Sequence, residues 1–197
     1  MLSQIVRDAS KEIHDATERS PFMTALLKGN LPSDAYFDYI AQLAPIYETI
    51  EKWNGKLPFF DRRLDRFERI IADLEYIGTR VVCDETIEYV KHINSLIEEK
   101  DEVRLLAHHY VRYLGDLSGG QAIGALVARN LSIPPSFMSF YDFDGIGDRV
   151  RYKETYRENL DALISPKDHY RFIQEVILAF EYNKNIFGAL AEKWISE

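Results

Sequence analysis

A chain of 197 residues and 22.9 kDa has the size of one domain, and at that size about 70% of the unfolded surface can be buried without disulfide help. Its 24 basic and 32 acidic residues leave a formal charge of −8, which argues against a nucleic-acid partner, and a lone cysteine, Cys83, excludes an internal disulfide framework and fits a reducing compartment. No apolar run approaches the ~20 residues of a membrane span, and no signal peptide is evident, so a cytoplasmic location without membrane contact is expected.

Apolar residues recur at spacings of three and four along the chain, and no sustained alternation marks a strand. Ile5, Val6, Ala9, Ile13 and Ala16 predict one face of a first helix. Ser20-Pro21 then reads as an N-cap followed by the first residue of a short helix, which Gly29 closes. A third helix is predicted from about Ser33 to Trp53, bent or split at Pro45. After a connection over Asn54–Arg63, helices are expected at about Asp65–Ile77 and Glu85–Glu99, followed by a long one from Glu102 to Leu131. Ser132–Asp148 carries two prolines with Gly145 and Gly147 and is the least regular stretch. Two more helices follow, at about Arg149–Ile164 and Lys167–Ile195. Without a repeat or linker, the prediction is one all-α domain over 1–197.

The least expected stretch is Tyr113-Leu114-Gly115-Asp116-Leu117-Ser118-Gly119-Gly120-Gln121, inside the long helix. An interior glycine costs about 1 kcal/mol relative to alanine, so three of them need a compensating use. Gly115 and Gly119 share a helix face and Gly120 adjoins it, which presents bare backbone to something flat and allows a bend. The alternatives are close helix–helix packing and a loop, and the flanking apolar pattern opposes the loop. Leu-Ser-Gly-Gly-Gln also occurs in cassette ATPases, but the phosphate loop such enzymes need is absent: the only Gly-Lys, Gly55-Lys56, is followed by Leu57.

His14 lies beside the apolar stripe of the first helix, with Glu18 one turn on. Taken alone, most such histidines are surface or core residues. The functional alternative is ligation of an iron by the neutral imidazole, with Glu18 fixing the tautomer. His92, His108, His109 and His169 compete for that role. Adjacent His108 and His109 point about 100° apart on a helix and cannot share a metal, and no carboxylate–histidine spacing points to zinc, so all four are read as structural.

Lys11-Glu12-Ile13-His14-Asp15-Ala16-Thr17-Glu18, together with Arg112-Tyr113-Leu114-Gly115-Asp116-Leu117-Ser118-Gly119-Gly120-Gln121, resembles haem oxygenase, and the resemblance extends from about Leu2 to Trp194. It implies an all-α bundle that sandwiches haem b between a proximal N-terminal helix and a kinked glycine-rich distal helix. His14 then corresponds to the iron ligand and Glu18 to its partner, with Gly115, Gly119 and Gly120 against the haem face. Asp116 matches the distal carboxylate, and Arg112 and Tyr47 belong to its polar network. Arg7, Tyr110, Lys153 and Arg157 fall where propionates are held. Met23, Phe180, Asn183 and Phe187 fall on the pocket walls. Arg7 stands where the family usually has lysine, and Val111 replaces a hydroxyl residue found in some relatives.

The implied reaction uses O₂ and electrons to cleave haem, at the α-meso carbon, to biliverdin, CO and ferrous iron. Glycines leave bound O₂ room to lean toward the ring edge, while Asp116 orients a proton-delivering water, help worth about 10²–10⁴ in rate. No flavin or nicotinamide fingerprint is present. Electrons must therefore come from a ferredoxin, a flavodoxin or an NADPH-dependent reductase, docking on Arg7, Lys11, Lys153 and Arg157. Family habit implies a monomer. A haem-storage protein and a helical scaffold with an unrelated pocket are the rival readings.

Overall fold

The computed structural model describes residues 1–54, 56–75 and 77–195. Among these residues every regular element is helical, in agreement with the expected fold class. Helix α1 spans Leu2–Glu18, α2 Pro21–Lys28, α3 Ser33–Asn54, α4 Phe67–Leu74 and α5 Asp84–Glu99. Helix α6 is Glu102–His109, α7 Gln121–Leu131, α8 Arg149–Leu163 and α9 His169–Trp194. None of them is long and apolar enough to cross a membrane.

Local chemistry sets the boundaries. The Ser20 hydroxyl accepts from the Met23 amide, and Gly29 ends α2 at a φ of +73°, a conformation suited to glycine. Asp101 and Asp148 cap α6 and α8 by accepting from Arg104 N and Arg151 N. Helix α4 is capped from outside its own segment, because the Glu51 carboxylate on α3 accepts from Arg66 N at 2.5 Å and from Phe67 N at 3.0 Å.

Of the two outcomes expected at Pro45, a split does not occur: helix α3 runs through it as one element, since the proline removes a single amide donor from a helix whose neighbours bury it on most sides. The stripe expected on α1 is displaced: Ile5, Ala9 and Ala16 are exposed, while Leu2, Ser3, Val6, Ser10 and Thr17 are buried. Ser10 and Thr17 can face inward because each hydroxyl donates one turn back, to Val6 O at 2.8 Å and Ile13 O at 2.7 Å.

Helix α9 is the central post, packing on α1, α2, α3, α5 and α6. Buried side chains from nearly every element form one contiguous cluster. The irregular segment 132–148 belongs to it, since Phe140, Tyr141, Phe143 and Ile146 are all buried. Two polar side chains hold this segment down. Buried Asp73 accepts from Ser139 N, Ser139 Oγ and Phe140 N. Arg66, only 1% exposed, donates to the carbonyls of Phe140, Asp142, Leu64 and Arg63, with its guanidinium 3.8 Å from the Phe143 ring centre.

Between α6 and α7 the backbone stays helical but widens into two π-type turns, Tyr110–Leu114 and Asp116–Gly120. Such insertions are rare and gather at functional sites. Here they coincide with the glycine-rich motif.

Candidate functional site

A cavity of about 540 Å³ opens between α1 and the widened helix. Arg7, Lys11 and His14 line it from α1, Tyr110, Leu114, Gly115 and Ser118 from the π-type segment, Arg157 from α8 and Phe180 from α9. Residues far apart in the chain thus meet in one place. The volume falls within the ~300–1,000 Å³ range of small-molecule and cofactor pockets.

His14 is half-exposed, and the Phe180 ring meets its imidazole edge-on at 5.3 Å between centroids. Its Nε2 lies 3.4 Å from Glu18 Oε1, and its Nδ1 lies 3.6 Å from Asp15 Oδ1. Glu18 therefore stands beside the ring, as the helical spacing predicts. Lys11 donates to Asp15 at 2.7 Å, and this hydrogen bond holds the Asp15 carboxyl below its ordinary range.

The glycines divide into two sets. A Cβ built on Gly115 meets nothing within 4 Å, and one on Gly119 meets only Ile123 Cδ1, at 3.9 Å. Both have room for a Cβ, and Gly115 lines the cavity. Gly120 faces the other way, where its Cβ would lie 3.4 Å from Tyr141 Cδ1. Gly124, one turn on, is tighter still, with a hypothetical Cβ 2.7 Å from Tyr141 Cγ and Cδ2. Gly120 thus belongs to the packing set rather than to the bare face expected of it, and Gly124 joins it there. Close packing thus accounts for Gly120 and Gly124, though against Tyr141 of the irregular segment rather than against another helix, and does not account for Gly115.

Gly115 adjoins a polar group. The Tyr47 hydroxyl donates to Asp116 Oδ2, with Tyr47 itself wholly buried. Burial pushes the Asp116 carboxyl up from 3.8 to about 6, against the opposing pull of Arg112 and the Tyr47 hydrogen bond. No ion pair joins Arg112 to Asp116 among the described residues, and Arg112 Nε is buried without a hydrogen-bond partner. Burial likewise drives the Tyr47 and Tyr39 phenols up, Tyr39 to about 12, so both hydroxyls keep their protons at neutral pH.

The remaining predicted residues are placed less uniformly. Arg7 and Arg157 line the cavity together with Tyr110. Lys153 reaches its edge by donating to Ser118 Oγ at 3.3 Å. Arg7 donates to Gln4 Oε1 at 2.8 Å and lies 3.8 Å from Asp8, so Asp8 and Asp15 temper this basic rim. Met23 and Phe187 are buried off the cavity lining, and Phe187 stacks on Phe22 at 6.1 Å. Asn183 is buried and donates to Ala179 O at 2.7 Å.

Sequence reading missed Glu51, Arg66, Tyr141 and Gly124. Glu51 accepts from the Tyr113 hydroxyl at 3.2 Å as well as from the start of α4, and burial raises its carboxyl to about 7. Only Gly124 left a sequence signal, four residues beyond Gly120.

The model of the family described as "Heme oxygenase" matches residues 1–189. Rat heme oxygenase 2 is 33% identical over 206 residues, an alignment covering 96% of this chain and 65% of the rat protein. The chain thus spans about two thirds of that relative's length. Among solved structures, heme oxygenase-1 of the cyanobacterium Synechocystis, in complex with heme, superposes with a TM-score of 0.91 at 25% identity, covering 98% of this chain and 93% of that one. Heme oxygenase from Leptospira interrogans does so with a TM-score of 0.85 at 31% identity, covering 95% and 98%. The chain belongs to the heme oxygenase family.

Proposed function

We propose that this chain, acting as one domain, binds haem b between His14 and the Gly115–Gly119 face and degrades it with O₂ and externally supplied electrons. The products are biliverdin, CO and ferrous iron, with opening at the α-meso carbon. The carrying observation is the bare backbone of Gly115, which shares a cavity with His14 and adjoins the Asp116–Tyr47 pair. A fold needing only a packed helix would place alanine at Gly115, where a methyl has room.

When bound, haem supplies the iron that takes up O₂ and the ring that is oxidised. His14 holds the iron, and Glu18 accepts from the ring nitrogen that does not. The nitrogen nearest Glu18 is now Nε2, so binding through Nε2 requires the imidazole to turn about its Cβ–Cγ bond, which puts Nδ1 toward Glu18. Arg7, Arg157, Tyr110 and Lys153 bind the propionates by charge-assisted hydrogen bonds and so fix which ring edge faces inward.

Asp116 sits behind the glycines rather than at the iron. Held by Tyr47, its carboxylate orients a water whose other contact is the free Arg112 Nε–H. A carboxyl titrating near 6 is matched to proton delivery close to neutral pH. The basic rim at the cavity mouth, Arg7, Lys11, Lys153 and Arg157, receives a small acidic electron donor such as ferredoxin or flavodoxin, or a reductase, and the enzyme works as a monomer. The test is to load haem, supply O₂ and reductant, and identify the products by chromatography. Loss of the Soret band with α-biliverdin and released iron is the expected result. Haem that is bound but persists would make the chain a haem carrier.

A further inference from the structure

We propose that His92, His108 and Glu175 form a binding site for a divalent cation of the zinc type, separate from the glycine-lined cavity.

The three side chains come from α5, α6 and α9 and converge on one point. His92 Nε2 lies 2.5 Å and His108 Nε2 2.8 Å from the same oxygen, Glu175 Oε1, and one ligand atom from each residue falls within 4.8 Å of the others. Two imidazoles and a carboxylate are a donor set for Zn²⁺ and its first-row neighbours. A tetrahedral ion with bonds of about 2.0–2.2 Å holds its ligand atoms roughly 3.3 Å apart. The two short contacts must therefore open by about 0.5–0.8 Å. His92, the most exposed of the three, can open its own contact, and the one to buried His108 opens by a shift of Glu175.

The surroundings are those of a supported site. Tyr89 OH is 2.9 Å from His108 Nδ1, and Arg104 Nε donates to the outer oxygen, Glu175 Oε2, at 2.6 Å. Metal-binding imidazoles and carboxylates carry such outer partners. Tyr182 stacks flat on Tyr89 at 4.6 Å and lies 5.3 Å from the His92 ring, which fixes the orientation of both. His92 is the member of the set that reaches the surface, with 15% of its side chain exposed.

Without an ion, the two rings satisfy Glu175 by donating their Nε2 protons to it. On binding, the single proton of each neutral ring passes from Nε2 to Nδ1 by exchange with solvent, with no net release, and both Nε2 lone pairs turn to the metal. His108 then carries its proton on Nδ1 and donates to Tyr89, whose hydroxyl serves equally as donor or acceptor. The ion would tie together three helices, of which α9 reaches the cavity through Phe180, five residues after Glu175, and α6 runs on into the π-type segment that lines it, with Tyr110 two residues after His108.

The test is titration of the full chain with Co²⁺ and then Zn²⁺ after chelator treatment, in two forms: haem-loaded, and haem-free with His14→Ala. Each keeps His14 from acting as a ligand. We expect one equivalent bound, visible Co²⁺ ligand-field bands that Zn²⁺ displaces, and a saturable rise in Tm. Tyr89→Phe should weaken binding about 10–100-fold, and His92→Ala by more than that, with helical circular dichroism unchanged. If His92→Ala fails to fold, Tyr89→Phe and His92→Gln decide. Absence of saturable uptake at severalfold excess, or uptake unaffected by these variants, overturns the proposal.

Discussion

Replacing Gly115 by alanine adds one methyl group to the face on which haem is proposed to lie. The backbone there is ordinary helix, with φ −59° and ψ −52°, and the new Cβ meets nothing within 4 Å. The haem-free protein should therefore gain about 1 kcal/mol from helix propensity, raising its Tm by roughly 2–4 °C for a chain of this size. Haem affinity and biliverdin yield should fall, because the methyl occupies the surface the ring needs. Gly124→Ala is the matched opposite. Its Cβ would come within 2.7 Å of the Tyr141 ring, which is held by stacking on Tyr36 and by Gln121 donating to the Tyr141 carbonyl. An overpacking cost of about 1–3 kcal/mol outweighs the propensity gain, for a net loss of up to about 2 kcal/mol. Denaturation of both haem-free variants and Soret titration of both measure the two effects. A Gly115→Ala protein that is less stable, or that binds and cleaves haem as well as the parent, refutes the reasoning.

Asp116 has a pKa raised by folding, so its ionised form opposes folding, and this group's own contribution to stability, read as the difference between the parent and Asp116→Asn, should rise as pH falls from above 6 toward 4. Asp116→Asn should lift that cost at pH 7 while abolishing biliverdin formation, and the parent's pH–rate profile should show an acid limb centred near 6. His109 behaves oppositely: burial lowers it to about 3, so stability present above 6.5 should fall by up to about 1.4 kcal/mol per pH unit as pH drops below 6.5. In His109→Gln that slope should flatten in acid denaturation series. His14→Ala should lose the histidine-ligated haem spectrum and turnover together, whereas Glu18→Gln should keep the ligand and lose about 10–100-fold in activity. Retention of the parent spectrum in His14→Ala would move the iron ligand elsewhere.

Much of this was legible in the sequence, because helix periodicity and capping are local. Ser20-Pro21 and Gly29 bounded α2 as read, and the spacing of His14 and Glu18 put them side by side. The errors have one common cause, which is that burial is decided by partners distant in sequence. Hydropathy put Ile5, Ala9 and Ala16 inward, but hydroxyls that bond their own helix, at Ser10 and Thr17, were the cheaper residues to bury. Gly120 looked like its neighbours until Tyr141 arrived from the irregular segment. His92, His108 and Glu175 stand 16 and 67 residues apart along the chain, and no motif spacing could have joined them. Arg66 and Glu51 resemble surface charges until their backbone partners are known.

The Glu51 carboxylate has a further consequence for how this chain tolerates change in length. It anchors α4 to α3 directly, within one turn of Tyr47, so the connection between the two helices is not what positions them. Closing a longer connection costs only about 0.6 kcal/mol per doubling of its length. Insertions that leave buried Leu57 and the Phe59 ring in place should therefore pass through the fold with little effect on Asp116 and its partner tyrosine. Loss of the Glu51 side chain, with no change in length, should not.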